Sequence, residues 1–276
     1  MTAADPDPID TLLLVGCGKM GSAMLERWLE KSLASHIIVA DPAPLPGKLA
    51  EDARITHERD IPSSFKKDPD VAVIAVKPQI LNSVLETLSG ATIKTSLFLS
   101  IAAGKPIKVF EQILGRKQPV IRSMPNTPAS IGRGVIAAVA NAHVSPEQKE
   151  MASRLLGCTG LLVWLENEVL MDAVTALSGS GPAYVFLLIE AMAKAGEKLG
   201  LPPEKAMKLA RQTVIGSAAL AAAYPDIPAA QLRQNVTSPG GTTEAALEIL
   251  MKDAALQKLF EDALRAARDR GKTLSH

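Results

Sequence analysis

The chain has 276 residues, 47% of them hydrophobic, with 30 basic and 29 acidic side chains and a net charge of +1. That length is a prior for two domains with a sizeable core, and the charge balance argues against a nucleic acid or an anionic membrane as partner. Two cysteines, Cys17 and Cys158, cannot make a disulfide framework, so reduced thiols in a cytoplasmic setting are expected.

Residues Met1–Asp10 are acidic and broken by prolines, unlike a signal peptide. No apolar stretch reads as long enough to span a bilayer. Leu12–Val15 is strand-like, Lys19–Leu33 is helix-like with an apolar stripe through Met20, Ala23, Met24, Leu25 and Trp28, and His36–Ala40 is a second strand ending at Asp41. Val71–Val76 is a continuous apolar run, as in a strand buried on both faces; Leu97–Ala103 and Pro119–Ser123 look similar. Pro78–Leu88 and Pro106–Leu114 read as helices opened by proline. Gly134–Ala140 and Leu161–Leu165 are further strand candidates, with a helix start at Ser145-Pro146-Glu147-Gln148 between them. This alternation predicts an α/β domain of the Rossmann type, with a mostly parallel sheet and right-handed crossovers.

After about residue 167 the strand signals stop. Glu168–Leu177, Pro182–Leu199, Glu204–Ala223, Pro228–Gln234, Thr243–Met251 and Ala254–Arg270 all read as helices. The predicted organisation is a dinucleotide-binding domain over 1–167 and an all-α domain over 168–276. The helices are apolar around more than one face, which predicts self-association through this domain.

Gly16-Cys17-Gly18-Lys19-Met20-Gly21 has the G-x-G-x-x-G spacing between a strand and a helix. The first glycine permits the tight turn, the second lets a pyrophosphate reach the backbone, and the third lets helix pack on sheet. The helix N-terminus then offers N–H groups to the phosphates. Asp41 stands where a carboxylate accepts from the ribose 2′-OH and repels a 2′-phosphate. Pro42 and Ala43 bring no cation, and Lys48 is the nearest in sequence, so this position leans toward NADH over NADPH. A plain Asp-Pro turn is the alternative. Ala75-Val76-Lys77-Pro78 and Ala102-Ala103-Gly104 follow later strands, at the sheet end where ligands bind. Ala102 and Ala103 would admit the nicotinamide, and Lys77 a phosphate or ribose hydroxyl. Asn126, in Met124-Pro125-Asn126-Thr127-Pro128, could donate to a carboxamide or serve a turn.

In the helical half, Ser178-Gly179-Ser180-Gly181-Pro182 allows close packing ahead of a helix. Ser238-Pro239-Gly240-Gly241-Thr242-Thr243 opens another helix and suits a small carboxylate. His36, His57, His143 and His276 show no metal spacing, and no nucleophile–base arrangement is visible. Hydride transfer to an activated C=N bond fits such a site, since a protonated imine is already electrophilic. Alcohol dehydrogenation, which more often wants a base, remains open through Lys77 and Lys194, as does a nucleotide-sensing protein without catalysis.

Across nearly its whole length the chain resembles the Δ1-pyrroline-5-carboxylate reductases. The resemblance rests on Gly16–Gly21, residues 76–79, 102–104 and 124–128, and above all on Asp172–Tyr184 and Asn235–Thr243. It implies NAD(P)H-dependent reduction of 1-pyrroline-5-carboxylate to L-proline, the last step of proline biosynthesis. It also implies a helical dimerisation domain, with a dimer or a ring of dimers. Thr243 matches the residue that supports the ring nitrogen; Ser238, Gly240 and Gly241 match those around the substrate carboxylate, with Thr242 and Asn235 beside them. Thr242 stands where other members have alanine. Many members carry serine where this chain has Asp41-Pro42, and those tend to use NADPH.

Overall fold

The computed structural model describes residues 8–91 and 97–275. Residues 1–7 of the N-terminal lead-in, and His276, lie outside the described residues. Two compact units are present: one of residues up to Gly179 together with the segment from Arg268, and one of Ser180–Ala267.

In the first unit, β1 (Ile9–Val15), α1 (Lys19–Glu30), β2 (Ala34–Ala40), β3 (Ile55–Glu58), β4 (Val71–Ile74), α2 (Leu81–Gly90), β5 (Leu97–Ser100), α3 (Ile107–Leu114), β6 (Val120–Met124), β7 (Gly134–Ala140), α4 (Pro146–Gly157) and β8 (Gly160–Trp164) form a Rossmann-type layer structure. The sheet order is β3-β2-β1-β4-β5-β6-β7-β8. Every pairing is parallel except β6 with β7, so the last two strands run against the rest. The short link 125–133 cannot carry the crossover that a parallel return needs. Strand β3 is an element that the apolar pattern does not announce: its burial is partial at Ile55 and absent over Thr56–Glu58.

Strand alternation sorts the core into two layers. Leu12, Leu14, Ile37, Val39, Val73 and Leu99 face α1 and α4. Leu13, Val15, Ala72, Ile74 and Phe98 face α2 and α3. Trp28 of α1 is fully buried, and its indole N–H donates to the Leu155 carbonyl of α4 at 2.8 Å. Arg122 is buried on β6 and donates to Glu168 Oε1 at 2.9 Å, an oxygen that also accepts the Ile107 N–H at 2.8 Å. This pair ties residue 168, where the sequence places its boundary, to the sheet, and explains why the packed unit continues to Gly179.

The helical elements are α5 (Met171–Val174), a π turn over Thr175–Gly179, α6 (Gly181–Lys198), α7 (Pro203–Ala223), α8 (Ala229–Asn235), α9 (Thr242–Met251) and α10 (Ala255–Ser275). One expectation is corrected here. Taken as one run, the successive helical turns of Glu168–Lys198 contain an eighteen-residue window with a mean hydropathy of 1.3 that is 11% buried. By length and composition that run could cross a membrane. The sequence reading places a break in the small residues before Pro182, and α6 does start at Gly181 after a bend at Ser180, with the π turn filling Thr175–Gly179 ahead of it. In the second unit α6 crosses α7 at Gly196, where a Cβ would stand 3.4 Å from that of Ala206.

Candidate active site

The glycine turn closes on itself in the way its spacing demands. Gly16 has φ +91°, and a Cβ there would lie 2.8 Å from the Ala75 carbonyl oxygen; one on Gly21 would lie 2.4 Å from the Gly16 oxygen. A Cβ on Gly18 meets nothing within 4 Å. Two glycines are therefore required by the protein's own backbone, and the third leaves an open approach at the N-cap of α1. Lys19 is exposed beside it. Met20 is half-buried and packs against the core. These features fit a dinucleotide pyrophosphate.

The cleft beyond this turn has a volume of about 680 Å³. Gly16, Gly18, Asp41, Ala75, Val76 and Lys77 all line it. It opens between β1 and β4, where the strand order reverses, the usual ligand position in open α/β sheets. Asp41 Oδ2 accepts the Cys17 N–H at 2.6 Å and Oδ1 accepts the Ala43 N–H at 2.9 Å. The carboxylate is thus a cap of the turn as well as a wall of the cleft. Burial pushes the Cys17 thiol up to about 11, helped by the charges of Asp41 and Glu26; burial likewise raises Cys158 to about 11. Arg59 and Lys77 are the cations that line the cleft, while Lys48, nearest to Asp41 in sequence, does not.

Pro78 and Ala103 line a second, smaller cavity of about 370 Å³, with Gln79, Lys105, Asp172 and Thr175. Ala102 lies beneath, 3% exposed, with its N–H on Ser100 Oγ at 3.2 Å. Asn126 does not present a free amide. Its Oδ1 accepts the Val135 N–H at 3.0 Å, and its Nδ2 donates to the Ser178 carbonyl at 3.1 Å. One amide hydrogen remains, so the side chain chiefly joins the loop after β6 to the π turn. A Cβ on Gly179 would lie 2.6 Å from Met124 Cε, the flexible end of that side chain, which would have to shift.

In the second unit, Ser238–Gly241 forms a tight turn, with the Gly241 N–H on the Ser238 carbonyl at 3.0 Å and Gly240 at φ +68°. The expected glycine anion cradle is partly filled from within: Glu244 Oε2 accepts the Gly240 N–H at 2.7 Å. Free donors remain at the first turn of α9, whose N–H groups at Thr242 and Thr243 have no helical partner. Thr243 is half-buried, while Ser238, Thr242 and Asn235 are exposed. Asn235 Oδ1 accepts from Gln231 Nε2 at 2.9 Å. Glu244 escapes a motif-based reading, although an acidic residue at the third helical position is a recognised capping signal. Lys194 is exposed on α6. Among the described residues no group of three or more His, Cys, Asp or Glu side chains could hold a metal ion.

Known proteins carry the same plan. The chain is 40% identical over 270 residues to a pyrroline-5-carboxylate reductase of Pseudomonas aeruginosa, covering 96% of each chain. The chain belongs to the pyrroline-5-carboxylate reductase family. The family's dimerisation model matches residues 168–274, and residues 11–104 match a model described as NADP oxidoreductase, coenzyme F420-dependent. The solved pyrroline-5-carboxylate reductase of Coxiella burnetii superposes with a TM-score of 0.88 at 35% identity, covering 98% of this chain and 100% of that one. The pyrroline carboxylate reductase of Plasmodium falciparum, solved with NADP bound, gives 0.79 at 29% identity, covering 97% and 98%.

Proposed function

We propose that this chain reduces 1-pyrroline-5-carboxylate to L-proline with NADPH or NADH. The carrying observation is the glycine turn, closed at Gly16 and Gly21 and open at Gly18, in a chain that is 40% identical to a named reductase over nearly its whole length. Residues 1–167 supply the dinucleotide-binding part and 168–276 the dimerisation and substrate-binding part.

When bound, the reduced nicotinamide supplies a hydride to the imine carbon. The protein's contribution is placement. Gly16–Gly21 and the start of α1 receive the pyrophosphate, Ala75–Pro78 border its path, and Ala102-Ala103 give the nicotinamide a floor without bulky side chains. Ser238, Gly241 and the N–H groups of Thr242 and Thr243 take the substrate carboxylate, with Asn235 flanking. The Thr243 hydroxyl holds the ring nitrogen and passes it a proton from water as the C=N bond becomes CH–NH. Rate comes mainly from holding the two reactants together in a dry site. Self-association through the helical part, as a dimer or a ring of dimers, covers its apolar faces. The two half-buried free thiols support a cytoplasmic setting.

The assay is oxidation of NADPH and of NADH with pyrroline-5-carboxylate, beside a 3-hydroxyacid control. Turnover with the imine and none with the hydroxyacid is expected. Thr243→Ala should lower turnover by about 10- to 100-fold, at and below the usual range for general acid–base groups. Unchanged turnover in that variant removes Thr243 from the mechanism.

A further inference from the structure

Strand β3 pairs in parallel with β2, and Ala40 stands opposite Glu58. The Asp41 N–H continues the ladder onto the Glu58 carbonyl at 3.0 Å. The next residues to leave the sheet are therefore Asp41 on one strand and Arg59 on its neighbour, about 5 Å apart by the spacing of paired strands. Both line the large cleft, together with Gly16, Gly18 and Pro42.

Their states differ. Asp41 is fixed by two backbone N–H groups. Arg59 is exposed, and among the described residues its guanidinium forms no ion pair or side-chain hydrogen bond. Asp60 also lines the cleft and adds a second carboxylate close by in sequence. A carboxylate wall alone favours a ribose with free hydroxyls and repels a phosphomonoester. A free guanidinium beside it reverses that preference, because its planar fork takes two oxygens of a phosphate at once.

We infer that Arg59 is the receptor for the 2′-phosphate of NADPH, and that the fixed Asp41 and the free Arg59 together let one cleft accept both nicotinamide cofactors. Asp41 receives the 2′-hydroxyl of NADH. Arg59 swings over the same ribose position when a phosphate is present. Arg59 is thus a specificity-determining residue of the chain. The inference rests on the reading of this cleft as the dinucleotide site.

The test is calorimetric titration with adenosine 2′,5′-bisphosphate and, separately, with adenosine 5′-monophosphate, which differ only in the 2′-phosphate. Wild type, Arg59→Ala and Arg59→Lys are compared. Arg59→Ala should weaken the bisphosphate by about tenfold or more, the usual worth of hydrogen bonds to a charged group, and leave the monophosphate within about twofold. Arg59→Lys should recover part of the loss, because it keeps the charge without the fork. The circular dichroism spectrum and melting temperature of Arg59→Ala should match those of the wild type, which reports an intact fold. Equal losses for both ligands would mean that Arg59 stacks on the adenine, and an unchanged bisphosphate affinity would mean that it binds nothing; either overturns the inference. Failure of the wild type to bind either nucleotide overturns the dinucleotide reading itself.

Discussion

The two units bury their apolar side chains very differently. In the first, Trp28, Phe98, Phe110 and the leucines of β1 are at most 1% exposed. In the second, the buried hydrophobic residues are Ala193, Ala206 and Ala210, while Phe186, Leu187, Leu209, Ile249 and Leu259 are each more than half exposed. One unit completes its own core. The other packs α6 on α7 through small residues and leaves its large apolar groups uncovered, a surface beyond what an isolated domain tolerates. Apolar content alone therefore does not distinguish a core from an interface; what does is whether the large side chains or only the small ones meet within the chain.

The contrast breaks if the exposed face of the helical unit has no partner. Phe186→Asp, at a residue 59% exposed, should weaken self-association by about a hundredfold or more, since buried aromatic anchors carry most of an interface. Light scattering at falling concentration would show the change. An assembly that persists to the wild-type dilution limit would place the interface elsewhere.

Within the first unit the contrast sharpens to single glycines. Gly21→Ala drives a methyl into the Gly16 carbonyl and should cost about 1–3 kcal/mol of stability, the usual range for forced overpacking, together with cofactor binding. Gly18→Ala meets no protein atom and should keep its melting temperature while losing cofactor affinity. Thermal denaturation beside nucleotide titration separates the two; equal melting losses would mean that the turn is no template for a ligand.

The smallest effect concerns the thiols. Both cysteines belong to the first unit, and burial holds each near 11. An unfolded thiol ionises near about 8.5, so the unfolded chain releases these protons first. Their contribution to stability is then complete below about 8.5 and is lost as pH rises toward 11. Iodoacetamide should modify the native protein slowly at pH 8 and faster only as pH approaches 11. Rapid labelling at pH 8 would show that the first unit is more open than its core implies.

Much of this was legible in the residues themselves. Gly16–Gly21 and Ser238–Thr243 are local motifs, and a local motif keeps its meaning when read along the chain. Arg59 was not legible, because its place beside Asp41 comes from strand pairing, and β3 carries almost no apolar signal. Lys48 was closer in sequence and lies off the cleft. Asn126 and Ser178 are 52 residues apart, and no pattern links them. The start of α6 beside Pro182 was legible from the proline and the small residues before it, whereas the π turn over Thr175–Gly179 carries no sequence signal.

The double hold of Asn126 has a consequence for how such a scaffold can change. One amide joins β7 at Val135 to the π turn at Ser178, and the Met124 side chain lies against Gly179. Residues 124–135 and 175–179 are therefore two segments held together by one side chain. Both partners of Asn126 are backbone groups, so residues 175–179 can be exchanged as long as the Ser178 carbonyl keeps its place, whereas loss of Asn126 takes the side-chain partner from the part-buried Val135 N–H and Ser178 carbonyl at once.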